Sequence, residues 1–323
     1  MLHARIVCPS DVTPVVLEHL EVLGSVINLV RFPGAARKPS GDLLLFDVAR
    51  EDASAVVEAL KEHGCAEHGS ITLNTIELSV SAAATRAEAH AEGSGADAVV
   101  WDDVLMRTSD SAELTFSFLA FMTLAALIAA VGILTDSLVL IIGAMVVGPE
   151  FGPLAGLCVA LVQRRFDLAA RSAWALLVGF AVGIGATLAF VRAAVWVGLA
   201  APTMITIHPQ TLFISRPDGW AGVIALLAGI AGMLSLTTSK PGALIGVFIS
   251  VTTIPAAANM GVAAAYGDMV ELRGSAVQLG LNLLVMILAG LGTLALQRLA
   301  YARRRRVGRP VGPAERERAR TAL

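Results

Sequence analysis

Glu150 is the one ionisable side chain that the expected topology places deep in hydrocarbon, inside the run Gly148, Pro149, Glu150, Phe151, Gly152, Pro153. A carboxylate at the centre of a spanning helix costs on the order of 3 kcal/mol on insertion scales. It must therefore face a cavity, bind a cation, stay protonated or hydrogen-bond broken backbone. The prolines beside it remove backbone donors, and the carbonyls they free need other partners in hydrocarbon. A second apolar stretch, Pro241 to Tyr266, is interrupted at Pro255, with Thr252, Thr253 and Asn259 close by; Asn282 stands in the last apolar stretch. Hydroxyls and amides at such depth coordinate a dehydrated ion, hold a small polar solute or satisfy freed helix carbonyls. Gly148, Gly152 and Gly156 share one helix face and permit close backbone approach, either as an unwound lining or as tight helix packing. Two such breaks at matching places in two halves of a chain point to a solute or ion site near the midplane. Its candidate residues are Pro149, Glu150, Gly152, Pro153, Thr252, Thr253, Pro255, Asn259 and Asn282. Asp136 with Ser137, and Ser239 with Lys240, precede the two broken stretches and suit helix capping or gating.

The elements that must position these groups are mostly membrane helices. With 56% hydrophobic and 15% charged residues and a mean hydropathy of +0.73, the 323-residue chain is too apolar for a water-soluble protein of this size. Six apolar segments are long enough to span: Leu114 to Leu134, Ser137 to Gln163, Leu168 to Leu199, Gly219 to Leu236, Pro241 to Tyr266 and Val270 to Leu299. Identities such as Val159 with Val262, Ala160 with Ala263 and Ser172 with Ser275 recur at one fixed interval. Residues 114–199 and 218–299 share one plan, a span, a proline-broken span and a long span. Three spans per unit require the second unit to be inserted upside down, an arrangement recurrent in secondary transporters.

Ahead of the spans, residues 1–81 read as strand, helix, strand, strand, helix, strand, the order of a small ferredoxin-like α+β domain. Within it Ser25 to Phe32 is a strand, Pro33 to Gly41 a loop and Ser70 to Val80 the last strand. Residues 82–113 are expected to be a linker, rich in Ala, Glu, Gly and Ser, and then an amphipathic helix at the membrane interface. A basic tail, 300–323, ends the chain.

Charge sorts the loops. Arg164, Arg165, Arg171, Lys240 and the run Arg303 to Arg306 fall on one side, which sets both termini in the cytoplasm of a multi-pass plasma-membrane protein. The opening residues lack the sections of a secretory signal. Cys8, Cys65 and Cys158 are scattered without metal spacing and read as reduced, packed thiols. The six histidines have no partner at metal or triad spacing, and no phosphate-binding loop of the GxxxxGK[ST] type occurs. Neither an enzyme nor a cofactor or metal is expected. The basic tail directly abuts a span, so lipid headgroups suit it better than nucleic acid.

From Leu119 to about Gln297 the chain resembles the bacterial and archaeal membrane family catalogued as domain of unknown function 389. The resemblance is carried by Asp136, Ser137 and Leu138 through Ile142, Gly143, Ala144 and Met145, then Pro149, Gly152 and Pro153, and later Ala243 to Ile254, Pro255 and Asn282. It implies a multi-span core in a bacterial plasma membrane, often with a soluble N-terminal domain, and no particular substrate. The family pattern has an apolar residue after the first proline, so Glu150 is a departure that shifts weight to the breaks themselves. The expectation is an α-helical polytopic membrane protein of six spans in two inverted three-helix repeats, carrying an N-terminal ferredoxin-like domain. Its expected work is secondary or passive transport of an ion or small polar solute. A channel through the same cavity is one alternative; a membrane-anchored sensor or scaffold acting through the N-terminal domain is another. Its small-residue faces favour a homo-oligomer, a dimer above others.

Overall fold

The computed structural model describes residues 1–76, 78–91, 99–200, 210–216, 218–238 and 253–307. Thr252, Ser239, Lys240, residues 241–252 of the expected fifth span and the tail beyond 307 lie outside the described residues. The chain divides into two compact units, the first made of Met1–Arg107 with Ser235–Pro241 and the second of the rest.

In the first unit β1 (Leu2–Cys8), α1 (Thr13–Val22), β2 (Val26–Arg37), β3 (Ser40–Val48), α2 (Ala53–Glu62) and β4 (Ser70–Thr75) follow in the expected succession. They build a four-stranded antiparallel sheet of order β2-β3-β1-β4. Alternation along β1 and β3 sends Ala4, Ile6, Cys8, Leu44, Phe46 and Val48 to one face, where Val16 and Leu20 of α1 and Val56 and Leu60 of α2 cover them. Pro33 to Gly41 is not the expected loop. β2 continues to Arg37, absorbing the turn residues in a bulge with register shifts between Phe32 and Ala36, where Gly34 takes a φ of 59°. The strand survives because it is anchored from β3. Asp42 is buried there and accepts hydrogen bonds from the Gly34 N–H at 2.9 Å, Ser10 Oγ at 2.8 Å and Arg31 Nη2 at 2.7 Å.

The expected last strand to Val80 stops at Thr75, and the expected linker holds a helix, α3 (Ala82–His90). Ser81 caps it by accepting from the N–H groups of Ala83 and Ala84. α4 (Trp101–Ser111) begins within the sheet unit. Val100, just before it, joins the sheet core, Ser54 Oγ donates to the Val99 carbonyl, and Lys61 pairs with Asp102. The start of the expected interfacial helix is thus docked on protein by its own apolar residues.

The second unit is helical: α5 (Phe116–Leu134), α6 (Leu138–Val147), α7 (Phe151–Val162), α8 (Phe166–Val197), α9 (Gly219–Thr237), α10 (Thr253–Tyr266) and α11 (Met269–Val307). Among the described residues, four helices are long and apolar enough to cross a membrane: α5, α8, α9 and Met269–Ala300 of α11. The pair α6 and α7, bent by 48° at the break, adds a fifth if taken as one span. Trp174, Leu177, Leu227, Leu284 and Leu288 stand exposed on these helices, as suits a lipid solvent. α5 and α9 are each 19 residues long, and α8 matches the 32 residues of Met269–Ala300. Each pair starts 103 residues apart, the same separation as that between Glu150 and Thr253.

Candidate functional site

The first break lies where proline requires it. α6 ends with the Gly148 N–H bonded to the Ala144 carbonyl at 3.1 Å, and Pro149 has no N–H for the next bond. Helical bonding resumes at once: the Gly152 N–H reaches Pro149 O at 3.3 Å and the Leu154 N–H reaches Glu150 O at 3.2 Å. The Pro149 carbonyl, which Pro153 cannot serve, is thus taken up locally, and Pro153 sits in the first turn of α7, where a proline costs no helix bond.

Glu150 fills the corner. It is 8% exposed, and its Oε1 accepts a hydrogen bond of 2.7 Å from Oγ1 of Thr253, the first residue of α10. Oε2 is buried and, among the described residues, has no hydrogen-bond partner. A side chain at residue 148 would strike Glu150 Oε2 and come within 2.7 Å of Ile254 Cγ1, so only glycine leaves room for the carboxylate there. Pro255 does not divide a helix within the described residues; it lies in the first turn of α10, as Pro153 does in α7.

A second polar group runs along the α10 and α11 pair. Asn259 Nδ2 donates to Ser275 Oγ at 2.8 Å and to Glu271 Oε2 at 3.2 Å, and Gln278 Nε2 donates to Asn282 Oδ1 at 3.4 Å. Asn259, Ser275, Gln278 and Asn282 are all buried. Intervals of four, three and four residues set Glu271, Ser275, Gln278 and Asn282 on one stripe of α11. Neutral hydroxyls and amides in a row can pass a proton or replace the water shell of a cation; alone they cannot balance a charge, which a carboxylate can.

The family described as a domain of unknown function (DUF389) matches residues 145–288, from the last turn of α6 through most of the apolar part of α11. Over that stretch, residues 145–288, the chain is similar to the DUF389 family. An uncharacterized protein of Methanocaldococcus jannaschii is 23% identical to it over 249 residues, 75% of this chain and 72% of the relative. No solved structure matches. Both polar groups, the Glu150 corner and the α11 stripe, fall inside the matched residues.

Of the residues singled out in the sequence, the fold brings Glu150 and Thr253 into contact beside Pro149, and places Asn259 on a separate contact with Ser275. Gly152 and Pro153 shape the start of α7. Ser137 holds the N-cap position of α6 without a side-chain hydrogen bond to it. Asp136, at a φ of 50°, accepts instead from the Thr211 N–H and Oγ1, each at 3.1 Å, and from the Gln210 N–H at 3.3 Å. Asp136 therefore binds the segment after α8. Glu271, Ser275 and Gln278 escaped sequence reading. Their signal is the helical register of polar residues within an apolar run, which links them to Asn282.

Proposed function

We propose that the protein moves an ion or small polar solute across a membrane as a secondary or passive transporter, with the Glu150 corner as the cargo site. The observation that carries this reading is a buried carboxylate at a helix break, held by one hydroxyl through one oxygen while its other oxygen has no partner among the described residues. Leaving a charge-bearing group buried this way is costly, and in membrane helices such groups mark pathways.

The proposal includes two inverted repeats meeting at this corner. Contacts that recur at the same interval in both halves support it. Cys158 of α7 lies at 3.7 Å from the Ile287 carbonyl and beside Gly290 of α11; Gly261 of α10 lies against the Ile184 carbonyl and Thr187 of α8. Gly183 touches Ala126, and Gly229 touches Met286. The turn residues Arg164 and Gly267 take φ values of 60° and 77°. Each broken helix is thereby lodged against the other half's long helix, an arrangement suited to rocking between two open sides. The first unit is a regulatory or oligomerising ferredoxin-like domain in this reading.

Proteoliposomes loaded for proton, Na⁺, K⁺ and neutral-solute flux test it. Wild-type protein is expected to give saturable flux of one of these, and Glu150→Gln to cut it at least about tenfold, the loss of roughly 1.4 kcal/mol of cargo or transition-state binding. Equal flux in wild type and Glu150→Gln removes the corner as the site. Flux that does not saturate turns the reading to a channel.

A further inference from the structure

The two halves differ in one respect: only the second has a polar line running inward from a membrane face. Stepping back by the interval that relates Thr253 to Glu150, the residues matching Glu271, Asn259, Gln278 and Asn282 are Leu168, Gly156, Ala175 and Gly179. Ser172 alone matches in kind, and its hydroxyl is spent on the Leu168 carbonyl at 2.9 Å within its own helix. Gly179 is closed over by the ring of Phe118, within 2.8 Å of where a side chain would begin. The first half is sealed along the line that the second half makes polar.

The polar line has a mouth and an end. Glu271 is half-buried in the first turn of α11, beside Asp268, which caps that turn through the N–H groups of Val270 and Glu271. From Glu271 to Asn282 the stripe descends about 16 Å at about 1.5 Å per residue, close to half of a hydrocarbon core roughly 30 Å thick. α10 and α11 run antiparallel and meet at Asn259 and Ser275. Moving inward from that contact by about six residues on each helix, roughly 9 Å, reaches Thr253 on one and the level of Asn282 on the other. Thr253 is the residue that holds Glu150.

Resting on the transport reading above, we infer that Glu271, Asn259, Ser275, Gln278 and Asn282 form the entry route to Glu150 from the face at the Gly267 turn, and that the cargo carries a single positive charge. The route's interior is neutral and donor- and acceptor-rich, its mouth is acidic, and it leads to the level of one carboxylate. That sequence of groups attracts a cation, strips or relays its water, and balances one charge at depth. A proton and a dehydrated monovalent cation share this chemistry.

Accessibility tests the route without requiring flux. Ser275→Cys, Gln278→Cys and Asn282→Cys are made in the full chain with Cys8, Cys65 and Cys158 replaced by alanine, and Ala175→Cys is the counterpart in the first half. A membrane-impermeant cationic methanethiosulfonate applied at the Gly267 face is expected to label the three at least about tenfold faster than Ala175→Cys, slowing with depth from Ser275 to Asn282. Labelling of all four at one slow rate overturns the route, and the near-isosteric Ser275→Cys keeps the test valid if a deeper variant fails to fold. Absence of flux for every probe, with the labelling gradient intact, rejects transport but leaves a wet line. Flux with no gradient rejects the line but leaves transport. Internal pyranine separates protons from Na⁺ and K⁺; uptake confined to a neutral solute overturns the charge assignment.

Discussion

A buried hydroxyl facing a buried carboxylate makes Thr253 a sensitive position. Thr253→Val removes the side-chain donor to Glu150 and is expected to destabilise the protein by about 1–3 kcal/mol, the range for stranding a buried polar group. Thr253→Ser should restore most of it; thermal midpoints in detergent give the comparison, and equal midpoints for the valine and serine variants would show that the bond is idle. Asp42 offers a test in the other unit. The Gly34 N–H, with Ser10 and Arg31, outweighs the effect of burial and holds its carboxyl at about 2. A carboxyl lowered on folding stabilises above its unfolded range, and that gain fades as pH falls through the folded value. The midpoint difference between wild type and Asp42→Asn is therefore expected to be full at pH 7, to shrink below about pH 4 and to close near pH 2. In the same unit Cys8 and Cys65 lie with sulfurs 3.2 Å apart as free thiols, and burial, with Cys8 adding to it, pushes Cys65 up to about 12. Glu150 was legible in the sequence because a charge between prolines inside an apolar run has few uses. That meeting of Cys8 and Cys65 was not, because it depends on strand β1 passing the end of α2.

Helix contacts decide what can be read at the next scale. Gly261 is where α10 crosses α8: a methyl group there would begin 2.7 Å from Thr187 Cβ and 2.8 Å from the Ile184 carbonyl. Gly261→Ala is expected to cost about 1–3 kcal/mol by forcing the helices apart. Gly143→Ala, which meets nothing within 4 Å, should be neutral or slightly stabilising through helix propensity, a gain of under about 1 kcal/mol. Chemical or thermal unfolding that ranks the two alike would place the crossing elsewhere. The break at Pro149 could be foreseen because proline acts on its own backbone. The polar stripe of α11 follows from registers and neighbours that composition does not encode. Asp136 shows the same limit, since its partners lie beyond the whole of α8.

Across the whole molecule, the proposed inverted halves require the turns after α5 and α10 to share one face and the turn after α7 to lie on the other. Impermeant labelling of Thr135→Cys and Met269→Cys from one side and of Arg165→Cys from the opposite side is the expected pattern, since these three residues are exposed. Thr135 and Met269 on opposite faces would break the six-span arrangement. Apolar lengths and spaced prolines were visible in the sequence, whereas the lodging of α7 against α11 and of α10 against α8 was not. In the proposed repeats residues 150 and 253 hold the same place, and they touch. Two separate copies of one half, assembled about that point, would set each residue against its own twin: acid against acid, which repels, or hydroxyl against hydroxyl, which carries no charge. Fusion into a single polypeptide lets the twins diverge, and a lone acid facing a neutral donor at the centre is an asymmetry that only the joined chain can keep.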